Sequence, residues 1–243
     1  MQVKICAHRG ASCRYPENSL KAFTKAIEQK ADSIEVDVRR TGDGHLVACH
    51  DFNLSRLTGR HLRLSEISLA EFQKLRINGL EPPSSLEEIL VRVGKRVEII
   101  LDVKECGLEN KLLKLIYDLS LENRIIISSF DPRIIATTRE KSPEIKTALI
   151  AGPLSILPLA IKVCFYLRKV TDYIKADYLH LFYADLLYPG YVTLKKWGYK
   201  ISYWTVDRPK DIKNALSLEP ESIITNRPDL ARKIANRYIK ADL

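Results

Sequence analysis

Three short clusters near the start of this 243-residue chain carry reactive side chains: His8-Arg9-Gly10, Glu35-x-Asp37 and His50-Asp51. An arginine can fork onto two phosphate oxygens, carboxylates can hold a hard divalent cation, and two imidazoles can exchange protons near neutral pH. Hydrolysis of a phosphate diester needs that combination. Farther along, Asp102-x-Lys104 repeats the two-residue spacing with one acid and one base. Phe130 and Trp204 are aromatics that either fill a core or wall a pocket against glycerol or an alkyl group, the second being favoured by their positions.

Glu35 and Asp37 stand two apart in an extended run, so their side chains point to the same side. Carboxylates on an inner strand are costly unless they meet a cation. One reading pairs them, with Asp102, to Arg39 or Lys104. The favoured reading joins Glu35, Asp37 and Asp102 into a site for Mg²⁺ or Ca²⁺, because three carboxylates converge. Zinc fits less well, since His8 and His50 would become ligands and be lost as proton carriers. His45, in a solvent-facing hairpin, and His61 are expected to take no part, while His180 either lines the pocket or packs in the core.

These residues need a frame that brings them together. Strand-like runs fall near Val3–Ala7, Ser33–Val38, Arg96–Val103, Ile125–Ser129, Lys146–Ile150, Asp177–Leu181, Lys200–Thr205 and Ser222–Thr225. Helical patterns alternate with them: an apolar stripe through Leu20, Phe23 and Ile27, capping boxes at Ser68-x-x-Glu71 and Ser85-x-x-Glu88, and a closing amphipathic segment through Leu230, Ile234 and Tyr238. Eight strand-then-helix units predict an α/β fold, a (β/α)8 TIM barrel formed by one domain over residues 1–243. About sixty residues separate the second and third strands, twice what a crossover needs. A hairpin turn at Asp43-Gly44 and a small insertion over about 52–82, capping the barrel mouth, account for the excess. Every candidate then falls at or just past the carboxyl end of a strand, where barrel enzymes build their sites.

The formal net charge is +9, from 39 basic and 30 acidic residues, which favours anionic partners without choosing among them. There is no basic stripe interleaved with aromatics, so nucleic acid is not an expected partner. The five cysteines have no metal spacing and an odd count, and Cys6 and Cys49 lie in apolar strand patterns, which suits a reducing cytoplasm. Met1-Gln2 runs almost directly into the first strand, so no secretory leader is expected. Ala148 to Leu167 is strongly apolar, but Gly152, Pro153 and Pro158 argue against a spanning helix. It reads as a buried strand followed by an apolar loop and helix. The functional alternative is an apolar lip that meets acyl chains or a membrane surface peripherally.

The ordered set of motifs resembles the glycerophosphodiester phosphodiesterase family nearly end to end. Carrying it are His8-Arg9-Gly10-Ala11, Pro16-Glu17-Asn18-Ser19, Ala31 to Val38, Thr41-Gly42-Asp43-Gly44, His50-Asp51, Asp102-Val103-Lys104, Ser128-Ser129-Phe130, Trp204-Thr205-Val206-Asp207 and Ile223 to Pro228. The resemblance implies a TIM barrel, His8 and His50 as acid and base, Glu35 and Asp37 as metal ligands, and Arg9 and Lys104 on the phosphate. Asp102 stands where the family usually has glutamate, one methylene longer. Lys30 replaces a common glycine and Asn226 a common aspartate, both expected outside the catalytic set. The expected activity is metal-dependent release of sn-glycerol 3-phosphate and an alcohol from a glycerophosphodiester. The rivals are a lysophospholipase-D-like enzyme using the apolar 148–167 segment, and a silent barrel that binds phosphodiesters or anionic lipid.

Overall fold

Strands buried on both faces read as near-continuous apolar runs, and eight such runs here pair side by side in parallel. The computed structural model describes residues 3–152, 160–184 and 194–241. Its strands are β1 (Lys4–His8), β2 (Ser33–Arg40), β3 (Leu46–Ala48), β4 (Glu98–Val103), β5 (Ile125–Ser129), β6 (Lys146–Ala151), β7 (Tyr178–Phe182), β8 (Lys200–Trp204) and β9 (Ser222–Thr225). Neighbours run β1-β9-β8-β7-β6-β5-β4-β2, and β1 also pairs with β2, so eight parallel strands close on themselves. The fold is the expected TIM barrel.

Alternation along each strand sorts the side chains. Inward-facing Cys6, Ile100, Ile126, Ala148, Tyr178 and Ile224 form one small cluster inside the barrel. The outward partners, among them Ile34, Val36, Ile99, Leu101 and Ile127, pack under the surrounding helices in a larger core. Phe23 and Ala26 of helix Leu20–Glu28 and Ile89 and Leu90 of helix Leu86–Val93 belong to that core. Truncating a fully buried residue such as Leu101 to alanine would cost about 2–5 kcal/mol. At the amino end of the barrel Lys4 lies 3.3 Å from Glu98 and 4.0 Å from Glu221.

The local signals mostly act as read. Ser19 caps its helix by accepting from Ala22 N–H, and Ser68 with Glu71 forms a complete capping box. Lys30, at the position where glycine is common, holds a left-handed φ of 64° just past a helix end. One short strand escaped the reading: β3, antiparallel to β2, pairs Val38 with Ala48 and Arg40 with Leu46. It extends the hairpin at Asp43-Gly44 and carries the chain back to His50.

Residues beyond that hairpin build a satellite core. Leu54, Leu57, Leu64, Phe72, Leu75 and Ile77 pack with Val47 and Cys49. A Cβ on Gly42 would stand 2.6 Å from Ser65 O, so this satellite lies hard against the hairpin. Its short helix Ser55–Thr58 is fixed by the burial of Leu57.

Candidate active site

The chain turns sharply where β1 ends. Arg9 and Gly10 both have positive φ, 55° and 83°, and a Cβ on Gly10 would lie 2.6 Å from the backbone carbonyl carbon of Ala22. Only glycine permits that approach without a shift. The turn aims the Arg9 backbone N–H at Glu35 Oε2, 2.9 Å away, across the register that sets His8 beside Glu35. The following Pro16-Glu17-Asn18-Ser19 run has three separate tasks. Glu17 Oε1 accepts from Arg9 Nη1 at 3.0 Å, Asn18 Nδ2 donates to Asp37 Oδ2 at 2.7 Å, and Ser19 caps the helix.

β2 and β4 bring the acids together, with Asp37 directly opposite Asp102 in the register. Oxygens of Glu35, Asp37 and Asp102 lie within 4.8 Å of one another, and all three residues are buried. Two cations face them. Arg9 Nε lies 3.0 Å and Lys104 Nζ 2.8 Å from Asp37, and Lys104 also bonds Asp102. Burial, then the nearby Asp37 and Asp102, pushes the Glu35 carboxyl well above its usual range. Asp102 is raised to about 6, chiefly by burial, against the pull of Lys104. Asp37 is held well below the usual range: burial opposes this, but Lys104 and Arg9 outweigh it. Asp102 Oδ1 is buried without a hydrogen-bond donor, and Asp37 Oδ1 faces only the Lys104 ammonium. Three converging carboxylates with an unpaired oxygen among them suit a hard divalent cation, so these residues could hold a metal ion.

The two histidines are fixed by their Nδ1 atoms. His50 Nδ1 lies 2.6 Å from Asp51 Oδ1, which orients the ring from the adjacent residue. His8 Nδ1 lies 2.8 Å from Asn226 Oδ1. The Asn226 amide has only one sensible orientation, because its Nδ2 donates to Asp207 Oδ2 at 2.6 Å and its backbone N–H to Asp207 Oδ1 at 2.8 Å. A carboxylate accepts, so Oδ1 must face His8, and His8 Nδ1 must carry the proton. In the neutral ring Nε2 is then free to accept. Burial, reinforced by Arg9, lowers the His8 pKa to about 4, so the ring is neutral at physiological pH. Asn226, expected to stand outside the catalytic set, thus contacts a candidate catalytic histidine. It follows the carboxyl end of β9, which pairs with β1, so barrel closure brings it to His8.

A pocket of about 190 Å³ opens over these groups. His8, Arg9, Glu35, His50, Asp102, Lys104, Phe130 and Trp204 all line it, while Asp37 lies beneath, fully buried. One side is polar and cationic, the other aromatic. Phe130 meets Trp204 edge to face at 5.6 Å, Phe182 packs on Trp204 at 5.1 Å, and Lys104 Nζ is 5.9 Å from the Phe130 ring. Trp204 Nε1 donates to His180 O at 3.0 Å. His180, left open between pocket and core, lines the pocket, and burial lowers its pKa to about 4. His45 and His61 are not among the lining residues. The apolar lip expected within 148–167 lies in part, at 153–159, outside the described residues.

Comparison with known proteins bears on the family and the fold. The model of the glycerophosphoryl diester phosphodiesterase family matches residues 8–230. A protein of Caldanaerobacter subterraneus subsp. tengcongensis named glycerophosphodiester phosphodiesterase is 31% identical over 245 residues, spanning 94% of this chain and 96% of that one. One of the same name from Bacillus altitudinis is 29% identical, spanning 96% and 98%. Among solved structures, the glycerophosphodiester phosphodiesterase of Thermotoga maritima superposes with a TM-score of 0.81 at 26% identity, covering 96% of this chain and 99% of its own. An Oleispira antarctica phosphodiesterase in complex with the product sn-glycerol-3-phosphate shares the fold, with a TM-score of 0.81 at 21% identity over 97% of each chain. With the family model running from the first catalytic-site candidate almost to the end of the barrel, the chain belongs to the glycerophosphoryl diester phosphodiesterase family.

Proposed function

We propose that the chain hydrolyses glycerophosphodiesters to an alcohol and sn-glycerol 3-phosphate, with His8 and His50 as its proton carriers. The observation that carries this reading is the shared pocket: two imidazoles with pinned Nδ1 atoms stand over two cations and three carboxylates. Arg9 and Lys104 would take the phosphate oxygens, Arg9 by its planar fork and Lys104 as a point charge. Glu35, Asp37 and Asp102 would hold the metal, and an all-carboxylate donor set favours Mg²⁺ or Ca²⁺. When bound, such an ion neutralises the diester and polarises its phosphoryl oxygens.

The environments of the histidines divide their work. His8, neutral and accepting at Nε2, removes a proton from the attacking hydroxyl or water. His50, whose Nδ1–H faces the Asp51 carboxylate, has a counter-charge for an imidazolium and gives its proton to the leaving alkoxide. Phe130 and Trp204 wall the side where an uncharged glycerol or alkyl group would lie. Asp102, a methylene shorter than the family's usual glutamate, already bonds Lys104, so a metal bound there would compete with that lysine.

The remaining assignments extend the same reading. Residues 52–82 are a capping insertion within one domain, supported by their satellite core. No helix among the described residues is long and apolar enough to cross a membrane. Free Cys6, Cys13, Cys49 and Cys106 are compatible with a reducing cytoplasm, and peripheral lipid contact stays a proposal resting on the apolar composition of 148–167. Product analysis by ³¹P NMR tests the reaction. Glycerophosphocholine should give sn-glycerol 3-phosphate and choline; phosphocholine as product would contradict the assignment.

A further inference from the structure

We propose that Arg56, on the insertion's short helix, is a positioning residue that ties the phosphate-binding Arg9 to the proton carrier His50. The proposal rests on the phosphodiesterase reading above. Arg56 uses all three of its nitrogens. Nη1 donates to Glu17 Oε2 at 2.8 Å, Nη2 to Glu17 Oε1 at 2.7 Å, and Nε to Asp51 Oδ2 at 2.6 Å. Glu17 Oε1 also receives Arg9 Nη1, and the other Asp51 oxygen faces His50 Nδ1. A continuous chain therefore runs Arg9, Glu17, Arg56, Asp51, His50.

The need for such a link follows from where the two ends come from. Arg9 is set by the rigid end of β1, whereas His50 stands in a loop past β3. Its ring is held by Asp51, and its backbone carbonyl by Arg39 Nε at 2.7 Å. Asp51 is itself a loop residue, and its second oxygen is held by Arg56. Without the guanidinium, Glu17 would keep only Arg9, the second Asp51 oxygen would lose its donor, and the Asp51 side chain could turn away from His50. Leu57, buried with Leu64 and Phe72 in the satellite core, fixes the helix that delivers Arg56. The insertion therefore supplies a part of the catalytic frame as well as a cover. A lysine could not replace the fork, because a single ammonium cannot hold one carboxylate in two bonds and a second in line.

The test is steady-state turnover of glycerophosphocholine by the wild type, Arg56→Ala, Arg56→Lys and the exposed insertion control Arg60→Ala, each with its melting temperature. Expected for Arg56→Ala is a kcat lower by about 10- to 100-fold with KM changed less than about threefold, since displacing a proton carrier costs rate more than affinity. Arg60→Ala should match the wild type, and Arg56→Lys should regain only part of the loss. Ethylguanidinium added to Arg56→Ala should restore turnover, and should not do so for His50→Ala. Asp51→Asn with Arg56→Ala should be no slower than Asp51→Asn alone, as for two members of one chain. A wild-type kcat in Arg56→Ala, or a loss that adds fully to Asp51→Asn and ignores ethylguanidinium, would overturn the proposal. Should Arg56→Ala fail to fold, Arg56→Lys decides: lower kcat at an unchanged melting temperature supports it, and full kcat refutes it. Absence of turnover in the wild type would count against the phosphodiesterase reading instead.

Discussion

His8 Nδ1 lies 2.8 Å from Oδ1 of Asn226, a residue 218 positions farther along the chain. Through that bond, and the anchoring of Asn226 by Asp207, the barrel's closure fixes which nitrogen of His8 faces the pocket. Asn226→Ala should leave the ring free to rotate and to change tautomer. The expected result is a fall in kcat of about 10- to 100-fold with little change in KM. Steady-state kinetics at matched folding, checked by melting temperature, decide it; a raised KM at normal kcat would argue that Asn226 contacts substrate instead.

Dividing the proton work between His8 and His50 makes them respond differently to the leaving group. A p-nitrophenyl ester leaves without a proton, so it has little need of a general acid. His50→Ala should recover most of its lost activity on such a substrate, while His8→Ala should stay slow. The opposite pattern would exchange the two roles.

Metal binding has a readout apart from turnover. Glu35, Asp37 and Asp102 crowd one another, and a divalent cation that binds only the folded chain stabilises it. With Mg²⁺ or Ca²⁺ at a hundredfold excess over its dissociation constant, the gain is about 2.7 kcal/mol, which should be read as a rise in melting temperature of several degrees. Chelator should reverse it, and Asp37→Asn should abolish it. An equal rise in that variant would move the ion to another site.

His180 makes a prediction about pH. Burial holds its folded pKa at about 4, below the ordinary 6.5 that it regains on unfolding. As pH falls from 6.5 towards 4, the unfolded chain takes up the proton first, so this contribution to stability is present above 6.5 and lost across that window. Between pH 7 and 4.5 the loss from this one group is about 2–3 kcal/mol. Urea unfolding should show His180→Gln losing less stability over that interval than the wild type does. Equal losses would mean that His180 is already solvated in the folded state.

Much of the site was legible because its members occupy equivalent places. His8 and Trp204 end their strands, Asp102 is one residue from the end of β4, Phe130 follows β5, and Glu35 and Asp37 lie within β2 level with His8 and Asp102; strands buried on both faces announce themselves by long apolar runs. What escaped has partners far away in sequence. Asn226 meets His8 only where β9 pairs with β1, and Arg56 meets Glu17 across 39 positions, from a helix of four residues. Local pattern says nothing about such meetings. Strand β3 was missed for another reason: Leu46–Ala48 is too short to show a period of two.

The central claim is that two histidines and a carboxylate-bound metal hydrolyse a glycerophosphodiester in this pocket. Its most direct test is release of sn-glycerol 3-phosphate from glycerophosphocholine and glycerophosphoethanolamine, with Mg²⁺, Ca²⁺ or EDTA, by the wild type and by His8→Ala. Expected is metal-dependent release that EDTA removes and His8→Ala abolishes. Release that persists in EDTA, or in folded His8→Ala, would contradict it.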